Sequence, residues 1–254
     1  MSGHSKWHSI RRSKAIIDNK RGAAFTKLAR EISIAAREGG GADPDTNFKL
    51  RVAIQKARAE NMPVDNIKRA VEKGMGGGEG GMQLEEIFYE GYGAGGAAVL
   101  VQALTDNRNR TSSEVRSAFT KGGGNHGEPG SVSWMFEHVG LIRIELGKYD
   151  PEELMLIAID AGASDVQEVR EDDEVIELEV YTGFEDMRKV QEALEKGGIK
   201  IISSEAIFNA KTTMDLDDAK ALQVLRLMER LEDLDDVQNV YSNLNIRDEV
   251  AALQ

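Results

Sequence analysis

Apolar positions in the first third of the chain recur with the period of an α-helix. From Gly22 to Glu38, Phe25, Leu28, Ala29, Ile32 and Ala36 fall at i, i+3, i+4, i+7 and i+11, one stripe at about 100° per residue, with Lys27, Arg30 and Arg37 on the opposite face. Asp45 or Thr46 caps a second expected helix that runs to about Glu60, with Leu50, Val52, Ala53, Ile54 and Ala57 as its apolar content. Pro63 opens a third, because its missing N–H would be unpaired in a first turn anyway. Val64, Ile67 and Val71 give that helix its stripe, and Gly74 stops it. The pattern predicts a small three-helix domain.

Beyond residue 81 the period shortens. Runs rich in β-branched and aromatic residues predict strands at Glu86 to Glu90, Ala97 to Leu104, Val132 to Phe136, Gly140 to Leu146, Asp165 to Val169, Val175 to Tyr181, Ile199 to Ser204, Ala206 to Ala210 and Val237 to Leu244. Helices are expected at Ser112 to Lys121, Pro151 to Ala161, Phe184 to Lys196 and Leu216 to Arg230. Between about 138 and 204 the order is β, α, β, β, α, β, that of a ferredoxin-like fold. The elements on either side join across this insertion into a second ferredoxin-like unit with an extra strand. The expected class is therefore α+β and multidomain. Residues 1–80 form a basic tail and three-helix domain ending in the glycine-rich linker Gly74 to Gly81, residues 81–137 plus 205–254 a discontinuous α/β domain, and residues 138–204 an inserted α/β domain.

Charge sharpens this division. The 254 residues carry 32 Lys and Arg against 44 Asp and Glu, a net of −12. Residues 1–80 hold 16 basic and 9 acidic residues, a net of +7, and the remainder 16 and 35, a net of −19. The excess is densest from Lys6 to Arg37, where nine basic residues face only Asp18 and Glu31. Such a segment is a candidate to bind a polyanion, whereas the acidic part would be repelled by phosphate and suits a basic protein. The absence of cysteine excludes a disulfide scaffold, a thiolate metal site and a thiol nucleophile, and suits a reducing compartment. A cytosolic protein is the expectation, although the first twenty residues, Ser-rich and acid-poor, have some character of an organellar transit peptide. No apolar run approaches the roughly 18 to 20 residues that span a bilayer.

Motifs with chemical potential each have a plainer reading. Gly91-Tyr92-Gly93-Ala94-Gly95-Gly96 satisfies G-x-G-x-x-G, but a strand pattern follows it where a dinucleotide fold needs a helix, so a hairpin is expected. His4 and His8 lack a third metal ligand and sit among cations, which favours phosphate contact or exposure. His126, in a glycine-rich loop, and His138, at an expected turn, have no nucleophile elbow or comparable arrangement nearby in sequence. Thr105-Asp106-Asn107-Arg108-Asn109-Arg110-Thr111 is either an anion site, with Arg108 and Arg110 at a helix start, or an N-cap with solvated arginines. The acids Glu171 to Glu174, Asp215, Asp217 and Asp218 read as solvated surface. No catalytic residue, metal site or cofactor is expected.

Several strings together carry a family resemblance. Gly3-His4-Ser5-Lys6-Trp7, Lys20-Arg21-Gly22 leading into Phe25-Thr26-Lys27-Leu28, Ala36-Arg37-Glu38-Gly39-Gly40 and Asn61-Met62-Pro63 are followed by Tyr89-Glu90-Gly91-Tyr92-Gly93, the Thr105 to Thr111 stretch and Gly130-Ser131-Val132. In these the chain resembles the YebC family of bacterial regulatory proteins and their mitochondrial translational-activator relatives. The resemblance implies a helical domain followed by two α/β domains and no known catalytic activity. It also implies binding either of duplex DNA in transcription or of the ribosome in translation. Arg12 and Ser13 stand where the family often has His then Arg, and Ala23 where Lys is frequent, which trims the positive charge.

The expected function is that of a non-enzymatic nucleic-acid-binding regulator of gene expression, associated with ribosomal RNA, with a DNA-binding transcriptional regulator as the alternative. The candidate interface is His4, Lys6, Trp7, Arg11, Arg12, Lys14, Lys20, Arg21, Lys27, Arg30, Arg37, Arg108 and Arg110. Trp7 is available to stack on an unpaired base or, equally, to pack in a core. Basic ribosomal proteins are candidate partners of the acidic domains.

Overall fold

In the computed structural model the described residues are 6–7, 21–76, 84–171, 174–247 and 250. Three helices open the fold: α1 (Arg21–Glu38), α2 (Phe48–Ala59) and α3 (Val64–Gly74). Leu28, Ile32, Ala35 and Ala36 of α1 meet Leu50, Ala53, Ile54 and Ala57 of α2 and Ile67 and Ala70 of α3 in one core. Burial of each Leu or Ile there contributes roughly 1.5 to 3 kcal/mol. The cap of α2 is Asn47, not Asp45 or Thr46. Its buried side chain accepts from Leu50 N at 3.0 Å and donates to the carbonyls of Ala35 and Gly41, each at 2.8 Å, so one amide joins two helix ends. Gly74 allows α3 to approach α1, since a Cβ there would lie 2.2 Å from the Ser33 carbonyl oxygen. The expected linker beyond Gly76 falls outside the described residues.

The next elements build a four-stranded sheet. Strands β1 (Glu85–Tyr92) and β2 (Ala98–Thr105) form an antiparallel hairpin through the glycine-rich string, with Gly95 and Gly96 at φ 68° and 83°. Only a three-residue 3₁₀ turn, Ala94–Gly96, lies between the strands and no α-helix follows it, so the dinucleotide reading fails on geometry. Helix α4 (Arg108–Lys121) leads to the short β3 (Asn125–His126), which pairs with β1. After the insertion, α7 (Asp218–Glu232) and β8 (Val237–Ser242) complete the sheet in the order β3-β1-β2-β8. The hairpin thus occupies the centre, and β2, as a nearly unbroken apolar run, is buried along almost its whole length. Val99, Val101 and Ala103 pack with Val115 and Phe119 of α4 and Val224, Leu227 and Leu231 of α7. Gly91 lies under Phe119, where a Cβ would come within 2.6 Å of the ring.

The inserted unit contains β4 (Phe136–Glu145), α5 (Pro151–Ala161), β5 (Asp165–Glu171), β6 (Glu174–Gly183), α6 (Met187–Lys196) and β7 (Ile201–Ala210). Its sheet order, β5-β6-β4-β7, places the first strand between the third and the last, as in a ferredoxin-like fold. Ile142, Ile144, Leu178 and Val180 are buried, as are Leu154 of α5 and Val190 and Leu194 of α6. The stretches Ile199 to Ser204 and Ala206 to Ala210 are parts of one strand, because Ser-Ser-Glu continues the ladder instead of turning. The compact unit therefore runs His138–Asn209, and the remainder of the chain forms the other. The expected strand Val132 to Phe136 is a 3₁₀ turn, Ser133–Met135, before β4. The N–H groups of Val132 and Ser133 are committed to the Glu90 carboxylate and that of Met135 to the Val132 carbonyl.

Candidate nucleic-acid interface

Of the cations expected to grip phosphate from α1, Lys27 and Arg30 face an acidic turn of the same chain. The turn between α7 and β8 reads Glu232-Asp233-Leu234-Asp235-Asp236. Lys27 Nζ donates to the Glu232 carbonyl at 2.5 Å, and Arg30 donates to the Asp235 carbonyl and pairs with Asp236 Oδ1 at 3.0 Å. Arg37 reaches the Leu84 carbonyl at 2.5 Å at the start of the α/β domain. Trp7 is fully buried in the core of the α/β domain, and its indole N–H donates to Glu232 Oε1 at 2.5 Å. The core reading of Trp7 is therefore the one observed, and its ring faces are withdrawn from base stacking in this structure. Periodicity placed Lys27, Arg30 and Arg37 correctly on the outer face of α1, but it could not show that another domain covers that face.

Asp236 organises this joint. Its side chain is only 2% exposed. One oxygen accepts from Thr111 Oγ1 at 2.7 Å, Thr105 Oγ1 at 3.1 Å and both Nε and a terminal nitrogen of Arg110 at 3.2 and 2.7 Å. Burial pushes the carboxyl up, but the Thr111, Arg110 and Thr105 hydrogen bonds and the Arg30 charge outweigh it and hold Asp236 below its ordinary 3.8. Reciprocally, Asp236 and then Asp106 raise the Arg110 pKa. The Thr105 to Thr111 stretch is thus the N-cap alternative, with Asn107 accepting from Arg110 N at 3.1 Å, plus an internal anion in place of a phosphate. Arg108 remains at the surface, 3.5 Å from the exposed Glu85.

A second buried carboxylate was invisible in the strand pattern. Glu90, on β1, accepts the N–H groups of Gly130, Val132 and Ser133 at 2.7, 2.6 and 2.8 Å. Burial raises its pKa, and these three donors then the Ser133 side chain more than offset it, so Glu90 sits below its ordinary 4.5. This nest fixes the Gly130-Ser131-Val132 loop and removes the donors that a strand would have used. Beyond it Trp134 is 66% exposed, with its indole N–H on the Ser131 carbonyl at 3.1 Å.

The histidines take other roles than turn or loop positions suggested. His126, in β3, packs against Tyr89 and Phe119, and burial, then Arg116, lowers its pKa. His138, in β4, is stacked between Phe184 and Phe208 with ring centroids at 4.0 and 4.7 Å. In the inserted unit Arg143 pairs with Glu177, and Tyr181 donates to the buried Glu179 at 2.9 Å. Among the described residues no group of His, Asp and Glu could hold a metal ion, and no helix is long and apolar enough to cross a membrane. His4, Arg11, Arg12, Lys14 and Lys20 lie outside the described residues, Arg21 is helical in its backbone and Lys6 is half-buried. Of the acidic surface, Asp217 instead caps α7, while Asp172 and Asp173 lie outside the described residues.

Two family models match the chain on either side of the glycine-rich segment. Residues 5–77 match the TACO1/YebC protein N-terminal domain, and residues 84–244 match the TACO1/YebC second and third domain. The chain belongs to the TACO1/YebC family. A probable transcriptional regulatory protein of Roseiflexus castenholzii is 59% identical over 254 residues, covering 99% of this chain and 98% of the relative. One from Pelotomaculum thermopropionicum is 50% identical over 250 residues, covering 98% of this chain and 100% of its own length. The crystal structure of a conserved hypothetical protein from Aquifex aeolicus, 45% identical, superposes with a TM-score of 0.81 over 91% of this chain and 93% of that one.

The two tryptophans provide a direct check on the joint. In Trp134→Phe the remaining emission, from Trp7, is expected to be blue-shifted and insensitive to iodide, because Trp7 is 0% exposed. Iodide quenching of that emission as strong as that of free tryptophan would place Trp7 outside the core.

Proposed function

We propose that this chain is a non-enzymatic, nucleic-acid-binding regulator of gene expression that engages ribosomal RNA through its basic N-terminal half. The observation that carries this reading is the sorting of charge, +7 in residues 1–80 against −19 in the rest. Phosphate neutralisation supplies most sequence-independent affinity, and only the first part of the chain has the sign for it. The acidic domains would stay clear of the polyanion or meet basic ribosomal proteins. A site of this kind reads shape and backbone, because among the described residues no helix presents an evident set of base-reading side chains to a major groove. That favours structured RNA.

A second reading, a DNA-binding transcriptional regulator, is favoured by the name given to the Roseiflexus and Pelotomaculum relatives. Competition separates the two. Labelled full-length protein is offered ribosomes and genomic duplex DNA at matched phosphate concentration and physiological salt. Retention on ribosomes is the expected result. Transfer to DNA would replace it with the transcriptional reading, and binding to neither would overturn both.

A further inference from the structure

Lys27 and Arg30 of α1 are occupied by the acidic turn and Arg37 by the Leu84 carbonyl, so the phosphate-binding surface of the helical domain must draw on other side chains. We propose that α2 is the phosphate-facing helix of that domain, with Lys49 and Arg58 as its principal contacts to a nucleic-acid backbone; this rests on the nucleic-acid reading above. Helix α2 reads Phe-Lys-Leu-Arg-Val-Ala-Ile-Gln-Lys-Ala-Arg-Ala, with basic residues at 49, 51, 56 and 58 and no acidic residue. Its apolar side, Leu50, Ala53, Ile54 and Ala57, is buried in the bundle.

At about 100° per residue the cations fall in two rows flanking the exposed face, Lys49 with Lys56 and Arg51 with Arg58, each pair seven residues and roughly 10 Å apart along the axis. Lys56 is turned inward to Glu31 of α1 at 3.3 Å. Arg51 donates to the carbonyls of Pro44 and Asp45 and lies over the Phe48 ring, partners that carry no opposite charge. Lys49 and Arg58 are exposed and, among the described residues, have no ion pair.

The neighbouring helices do not offer the same field. On α1, the Asp236 carboxylate and the turn carbonyls hold Lys27 and Arg30. On α3, Asp65 and Glu72 interleave with Lys68, Arg69 and Lys73, which leaves that helix a net charge of +1 against +4 on α2. The acids nearest α2 in sequence, Asp45 and Glu60, lie beyond its two ends. Uncompensated positive potential on the described part of the domain is therefore concentrated on α2, with Lys49 and Arg58 on opposite flanks of its exposed face, about 180° apart, and a nucleic-acid backbone presenting phosphates to both flanks is the ligand that this pair fits.

The test titrates a labelled RNA stem–loop with the full chain and with Lys49→Gln/Arg58→Gln across a series of KCl concentrations. Each lost phosphate contact lowers the slope of log K against log salt by about 0.7 to 0.9, so the double variant is expected to lose between one and two units of slope. Affinity at low salt is expected to fall roughly tenfold or more. The charge-conserving Lys49→Arg/Arg58→Lys should keep the wild-type slope, and thermal melts should be unchanged because neither side chain supports the core. A double variant with the wild-type slope and affinity would overturn the assignment of α2 and leave the nucleic-acid reading standing. Failure of the unaltered chain to bind the stem–loop would overturn both.

Discussion

Replacing Asp236 by alanine is expected to destabilise the chain by about 3 kcal/mol in urea denaturation. Breaking a buried ion pair by removing one partner costs about 3 to 5 kcal/mol. The lower end applies because Arg30 and Arg110, 21% and 43% exposed, can turn to water once the carboxylate is gone. The hydroxyls of Thr105 and Thr111 cannot, since both residues are buried. The joint should loosen as well, so Trp7 in Asp236→Ala should become more accessible to iodide. The sign of the pH dependence follows from the lowered Asp236 pKa. Its stabilising contribution is fully present above the ordinary 3.8 and is lost as pH falls through the lower folded value. Asp236→Ala should therefore be less stable than the wild type at neutral pH and converge with it in acid. A loss below about 1 kcal/mol, within the range of an ordinary surface pair, would show that Asp236 does not organise the joint.

Glu90→Ala should produce the other large effect, with a more local character. Three N–H groups lose their acceptor. An orphaned buried donor costs about 1 to 3 kcal/mol, and here Val132 is buried whereas Gly130 and Ser133 can reach water. A total of about 2 to 3 kcal/mol is expected on those grounds. Hydrogen exchange should locate it, with the amides of Gly130, Val132 and Ser133 losing protection while the β1–β2 ladder keeps its own. Undiminished protection at those three amides would show that the loop is held by something other than the Glu90 carboxylate. Because the Glu90 pKa is also lowered, this contribution is present above 4.5 and is lost as pH falls below it.

These two acids mark where the sequence stops being legible. Periodicity placed α1, α3, α5 and the β1–β2 hairpin, because each has a stripe or an alternation bounded by Pro, Gly or an N-cap. The order β, α, β, β, α, β is local information too, and it led directly to the inserted ferredoxin-like unit. What periodicity does not carry is the partner of a polar residue. Glu90 sits in β1 beside Tyr89 and Gly91 like any strand residue, and its three donors lie some forty residues onward. Asp236 and Arg30 are likewise joined only in three dimensions. For that reason Val132 to Phe136 looked like a strand and Arg30 and Arg110 looked like phosphate ligands. Charge sorting, by contrast, is a property of whole segments and is legible without the fold, although the Asp236 turn offsets part of it at α1. The freedom of Lys49 and Arg58 could have been suspected from the lack of acids in α2, but only the acidic turn against α1 distinguishes one basic helix from another.

The most direct test of the account is a lysine footprint of the intact chain with and without bound ribosomal RNA, read by mass spectrometry after acetylation. Protection is expected at Lys6, Lys14, Lys20 and Lys49, with Lys189, Lys196 and Lys200 of the inserted unit reacting equally in both samples. Protection confined to the inserted unit, with Lys49 and the N-terminal lysines unchanged, would contradict the claim that the basic N-terminal half is the part of the molecule that holds nucleic acid.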